Sequence, residues 1–197
     1  MNAGVGALNR WVDRLADSAV TDPVVDGLDA RVGALPEVVR STLHGSWLGI
    51  PLHPILTDAT IGSWTSSFVA DLVGGHAARP LARRLVLLGC LTAVPTVATG
   101  LVDWTGLSRE ARRVGLVHAS TNLAATMLYL RSYRARRRGR HGAGVAWGVA
   151  AGTVATVGAH LGGILVFRDW TEAGPAPESH RGGPPSMSFA PESVRIG

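Results

Sequence analysis

Apolar residues gather into four stretches, at 55–73, 85–102, 114–130 and 145–167. Each is as long as a helix that crosses the roughly 30 Å hydrocarbon layer of a bilayer. None is purely aliphatic: Asp58 and Asp71 interrupt the first, Pro95 the second, His118 and Asn122 the third, and repeated glycines the fourth. These small and polar positions are periodic. Gly144, Gly148, Gly152, Thr156 and His160 recur every four residues; Gly89, Thr92, Thr96, Thr99 and Asp103 alternate three and four, as do Gly115, His118, Asn122, Ala125 and Tyr129. Such stripes are helix seams, because small side chains let backbones approach where lipid supplies no hydrophobic drive. The pattern predicts an all-α fold: an integral membrane, antiparallel four-helix bundle, small and polar inside, with Leu, Val and Ile outside. A soluble bundle would need polar outer faces, whereas here the arginines keep to the ends of the stretches.

The flanks differ from this core. Over 1–50, Val5, Leu8, Val12 and Leu15 are spaced for a short amphipathic helix, Asp22-Pro23 has the form of a cap and first turn, and Pro36 and Gly45 break the segment between there and residue 50. The predicted organisation is therefore amphipathic, interfacial helices at 1–50, four transmembrane helices at 51–170, and a disordered Gly/Pro/Ser/Glu tail at 171–197. No basic segment leads into an apolar one at the start, so no cleavable signal is expected. Mean hydropathy is +0.21 with 17% charged residues, against about 25% in soluble domains. The single cysteine, Cys90, excludes a disulfide framework or a thiolate metal cage.

All 19 basic residues are arginine and the net charge is +5, which raises the question of a nucleic-acid partner. Their distribution answers it. Arg131, Arg134, Arg136, Arg137, Arg138 and Arg140 crowd the third connection without an acid, with only Tyr133 between them, and Arg79, Arg83 and Arg84 lie in the first. The positive-inside rule explains this run without any nucleic acid: it puts the first and third connections in the cytoplasm and both termini outside the cell membrane. The acids Asp13, Asp17, Asp22, Asp26, Asp29 and Glu37 agree, while Arg109, Arg112 and Arg113 in the second connection run against it.

With alternate helices reversed, His53, Asp103, His118 and His160 come to one end of the bundle. Imidazoles inside a bundle have partners or functions. Two from facing helices can ligate the iron of a b-type haem. The expected ligands are His118 and His160, between the third and fourth helices, with Asn122 and Asp103 around them and His53 as an alternate. No HxxxH or HExxH spacing is present. A non-redox scaffold whose histidines only hold helices together, and an ion or proton pathway through His53, Asp58, His118 and His160, are the alternatives. His44, His76, His141 and His180 fall outside the stretches and are expected to be ordinary surface groups.

The chain resembles a family of small predicted four-helix bacterial membrane proteins of unknown function, some fused to a Rieske iron-sulfur domain. The resemblance rests on Leu52-His53-Pro54-Ile55-Leu56-Thr57-Asp58, Gly62-Ser63-Trp64-Thr65-Ser66, Gly100-Leu101-Val102-Asp103-Trp104, Arg112-Arg113-Val114-Gly115-Leu116-Val117-His118 with Asn122, and His160-Leu161-Gly162-Gly163. It implies an integral membrane protein in the lipid bilayer and, through the Rieske fusions, a link to electron transfer, and it supplies no established activity. Since the tail has no cysteine to hold a cluster, a Rieske-type or quinone partner would be separate.

Overall fold

The computed structural model describes residues 3–168, which are helical with no strand among them; the tail expected to be disordered lies outside the described residues. Three short helices, α1 (Ala3–Asp17), α2 (Asp22–Gly33) and α3 (Glu37–His44), precede four long ones, α4 (Leu52–Val73), α5 (Gly75–Thr105), α6 (Arg109–Arg137) and α7 (His141–Phe167). The local signals act as expected. Pro23 occupies the first turn of α2, and Gly45, at φ 97°, ends α3 where a Cβ would press on the Ile50 carbonyl. Ser108 caps α6 by accepting from the Ala111 amide at 3.2 Å. The long helices outrun the apolar stretches: α5 takes in 75–84 and α6 takes in 131–137, because Ala and Arg are good helix formers and polar side chains suit helix ends.

The four long helices pack as two tight antiparallel hairpins, α4 against α5 and α6 against α7. Ser67, late in α4, donates to the carbonyl of Ala82, early in α5, at 2.9 Å; Ser132, late in α6, donates to the carbonyl of Gly144, early in α7, at 2.6 Å. The hairpins touch along α5 and α6, and less along α4 and α7. Between α4 and α6 the contact is made by large side chains. Trp64 and Tyr129 stack with ring centroids 4.0 Å apart, and Arg136 grips Asp71 through both terminal nitrogens at 2.8 and 2.5 Å. That ion pair is almost wholly buried, so removing either partner alone would cost about 3–5 kcal/mol by stranding a charge.

Inside are Gly89, Gly144, Gly158, Ala93, Ala125, Ala151, Thr60 and Thr99; outside, and exposed, are Ile61, Phe68, Leu91, Val94, Leu123, Met127, Val149 and Val157. Small residues at the seam and aliphatic ones outside match the sequence pattern. Its four spans are matched only in part: α5 and α7 are long and apolar enough to cross a membrane, whereas α4 is diluted by inward Ser and Thr and α6 carries arginines at both ends.

The short helices fold over the end where α6 begins. Val12 and Ala16 of α1 bury against Val114 and Leu161. Ion pairs then rivet the cap: Arg113 forks Asp22 at 2.7 and 2.8 Å, Arg109 binds Asp26 at 2.8 Å, Arg112 reaches Asp29 at 3.0 Å, and Arg168 binds Asp13 at 2.6 Å. The hydrogen bonds from Arg113 hold the Asp22 carboxyl below its ordinary range, against a smaller opposing effect of partial burial.

Stability should respond to these contacts in two ways. A Cβ at Gly89 would run into the Trp64 indole, whereas at Gly163 it meets open space. Gly89→Ala should therefore lose about 1–3 kcal/mol and Gly163→Ala none, measured by thermal unfolding in detergent. Because the pKa of Asp22 is depressed on folding, its contribution is complete above the unfolded value near 4 and disappears as pH falls through the folded one. The unfolding midpoint should drop as pH falls below about 4, and Asp22→Asn should make that acid limb shallower.

Candidate functional site

His53 enters from the first turn of α4 and His118 from the first third of α6, so both stand at the capped end. Each ring is half-buried and leans into a glycine notch on its hairpin partner. A Cβ on Gly100 would lie 2.5 Å from Cε1 of His53, and one on Gly162 would lie 2.9 Å from Cε1 of His118. In these notches His53 Nδ1 donates to the Thr96 carbonyl at 2.9 Å and His118 Nδ1 to the Gly158 carbonyl at 2.8 Å. A carbonyl can only accept, so in the neutral rings Nδ1 carries the hydrogen and Nε2 keeps its lone pair.

Asn122, one turn below His118, has Nδ2 at 3.1 Å from Nε2 and 3.4 Å from Nδ1 of that ring. With Nδ1 donating to Gly158, Nε2 is the accepting nitrogen of that ring, and the Asn122 amide is the donor beside it. Below His53, Thr60 bonds Thr92 at 2.9 Å and Thr96 at 3.1 Å, extending a polar strip for two turns until the Trp64–Tyr129 stack closes it. Asp71 and Arg136 lie beyond the stack, with His141 3.5 Å from Asp71. A cavity of about 340 Å³ opens between α4 and α7, walled by Trp64, Phe68, Tyr129, Gly148 and Gly152, and neither histidine lines it.

His118 and His160 are not brought together, contrary to the sequence expectation: His160 is exposed while His118 is turned inward. The reason is helical geometry. A spacing of four advances about 400°, so a stripe repeated every four residues precesses by about 40° each time and turns through about 160° between Gly144 and His160. The seam actually buried follows spacings of seven, through Gly144, Ala151 and Gly158. Asp103 is also reassigned, since its carboxylate is 2.6 Å from Nδ1 of His44 on α3 and serves the cap rather than His118. His44 was missed because nothing in a linear pattern reveals that α3 docks on the end of α5. Asp58 is exposed, and His180 lies outside the described residues. Among the described residues no three His, Cys, Asp or Glu side chains gather to hold a metal.

No curated protein and no solved structure matches the chain. A family model described as a predicted membrane protein, DUF2231, matches residues 49–173, which takes in all four long helices and both inward histidines. The chain therefore belongs to the DUF2231 family of predicted membrane proteins.

Proposed function

We propose that α4–α7 form an integral, multi-pass four-helix bundle in the cell membrane, and that His53 and His118 hold a b-type haem near its extracytoplasmic end, making the protein a non-catalytic electron carrier. The observation that carries the cofactor reading is the matched tautomer of the two inward imidazoles: each has its Nδ1–H tied to a carbonyl of the neighbouring helix, which makes Nε2 the nitrogen with the lone pair, in His118 with the Asn122 amide beside it. Tying one nitrogen fixes the tautomer and aims the other at a metal, as second-shell hydrogen bonds do for ligating histidines. His53 thus replaces the exposed His160 as the partner of His118. The haem would exchange one electron at a time with a separate quinone or Rieske-type partner.

The membrane reading is supported by aliphatic side chains exposed on all four long helices, among them Ile61, Leu91, Leu123 and Val157, a surface that water would not tolerate at this extent. From His53 to Asp71, and from His118 to Arg136, is 18 residues, or about 27 Å of helix, close to the thickness of the hydrocarbon layer. Orientation is read from the arginines. Arg109, Arg112 and Arg113, which run against the positive-inside reading, are ion-paired with Asp26, Asp29 and Asp22, but the rule counts basic residues, and these three are outnumbered. At the other end nine arginines stand between 79 and 84 and between 131 and 140, and of these Arg136 alone has a carboxylate partner among the described residues. That end belongs in the cytoplasm and both termini outside.

One observation favours a second reading, a scaffold without cofactor: the imidazoles and hydroxyls that bond neighbouring helices already explain why polar groups face inward. Two experiments decide. Reporter fusions after Arg140 and after Gly197 should signal from the cytoplasm and from outside, respectively; a cytoplasmic signal at Gly197 overturns the orientation. Protein produced with ample haem should show a Soret band that sharpens and shifts on reduction, lost in His53→Ala and His118→Ala and kept in His160→Ala and His44→Ala. A colourless protein leaves the scaffold.

A further inference from the structure

The two hairpins repeat each other residue by residue. Adding 65 to a position on α4 gives its counterpart on α6, and adding 62 to a position on α5 gives its counterpart on α7, because the span from Ser67 to Ala82 is three residues longer than that from Ser132 to Gly144. Under that rule His53 with its acceptor Thr96 maps onto His118 with its acceptor Gly158, and the notch glycines map as Gly100 onto Gly162. Ser67 donating to Ala82 maps onto Ser132 donating to Gly144. The groups that meet between the hairpins are also counterparts, since Trp64 maps onto its stacking partner Tyr129 and Asp71 onto its ion-pair partner Arg136. Only a two-fold rotation brings equivalent side chains face to face in this way.

We propose that α4–α5 and α6–α7 are two copies of one helical hairpin whose inner face is a self-complementary interaction surface, docked on its own copy across a quasi-two-fold axis that runs along the bundle. The place where the copies have diverged supports this, because size changes are compensated within each hairpin. Trp64 faces Gly89, where a Cβ would collide with the indole, whereas the smaller Tyr129 packs in the cluster that contains Ala151, the counterpart of Gly89. Arg136 faces Gly144, where a Cβ would strike its stem, whereas the shorter Asp71 has Ala82 at that position. The larger side chain has glycine opposite and the smaller one alanine, at both levels. Opposite charges at one pair of equivalent positions convert a self-docking surface into one in which each hairpin recognises the other and not itself.

The equivalence predicts that paired residues can exchange hairpins provided their notches go with them. In the full-length protein, the charge exchange Asp71→Arg with Arg136→Asp, combined with Ala82→Gly and Gly144→Ala, should unfold in detergent within a few degrees of wild type, while Asp71→Arg or Arg136→Asp alone should fall by roughly 10 °C or fail to accumulate. A second, uncharged exchange covers the case in which no charge variant can be produced. Trp64→Tyr with Gly89→Ala, Tyr129→Trp and Ala151→Gly should keep the wild-type midpoint, whereas Tyr129→Trp with Ala151 retained should lower it by several degrees. If the compensated aromatic exchange is no better than its uncompensated half, or the charge exchange accumulates but unfolds with the single variants, the two hairpins are not equivalent and the proposal is overturned.

Discussion

What holds this protein together is the close approach of α4 to α5 and of α6 to α7 over residues too small to keep the backbones apart. With the large aliphatic side chains outside, burial of apolar bulk cannot draw the helices together. The attraction is van der Waals contact over Gly, Ala, Ser and Thr, fixed by side chains that reach across to a carbonyl of the neighbouring helix: Ser67 to Ala82, Ser132 to Gly144, His53 to Thr96, His118 to Gly158. A helical carbonyl already bonded within its own helix keeps a second lone pair, and these donors use it. The seam glycines therefore do more than make room. They bring imidazole and hydroxyl donors within 3 Å of an acceptor that would otherwise be out of reach.

The buried ion pair between the hairpins has a different role. Taking Asp71 and Arg136 out of water costs several kcal/mol per charge, and the return depends on geometry, here a bidentate grip completed by Arg136 Nε donating to Ser132 at 3.1 Å. An apolar pair of similar volume could be as stable. What the ion pair adds is specificity, because it tolerates one mutual arrangement of the hairpins and strands two charges in any other. The Trp64–Tyr129 stack works beside it, separating the ion pair from the histidine end.

The two ends of the bundle are thus electrically unlike. At the histidine end each arginine that opens α6 finds an aspartate on α2, and Asp103 finds His44, so the cap is both riveted and nearly neutral. At the Asp71–Arg136 end the arginines outnumber the acids, and Arg131 and Arg137 lie over the rings of Trp147 and Tyr133 instead. The bundle thus carries a pair of imidazoles at a capped end and a cationic rim at the other.

By itself the sequence determined the helices, their approximate limits, the inward small and outward aliphatic faces and the uneven arginines, because each is a local or periodic property that one chain segment carries alone. It also singled out His53, His118 and Asn122. Tertiary structure decided the rest. A stripe of four-residue spacings could not tell that His160 turns outward, since a small error in period accumulates to nearly half a turn over four steps. Nor could linear spacing pair Asp22 with Arg113, Asp103 with His44, or Asp71 with Arg136, contacts between residues 91, 59 and 65 positions apart. The repeat of the hairpins was hidden for the same reason: few residues are identical between the copies, and what is shared is the hydrogen bond each position makes once the helices have packed.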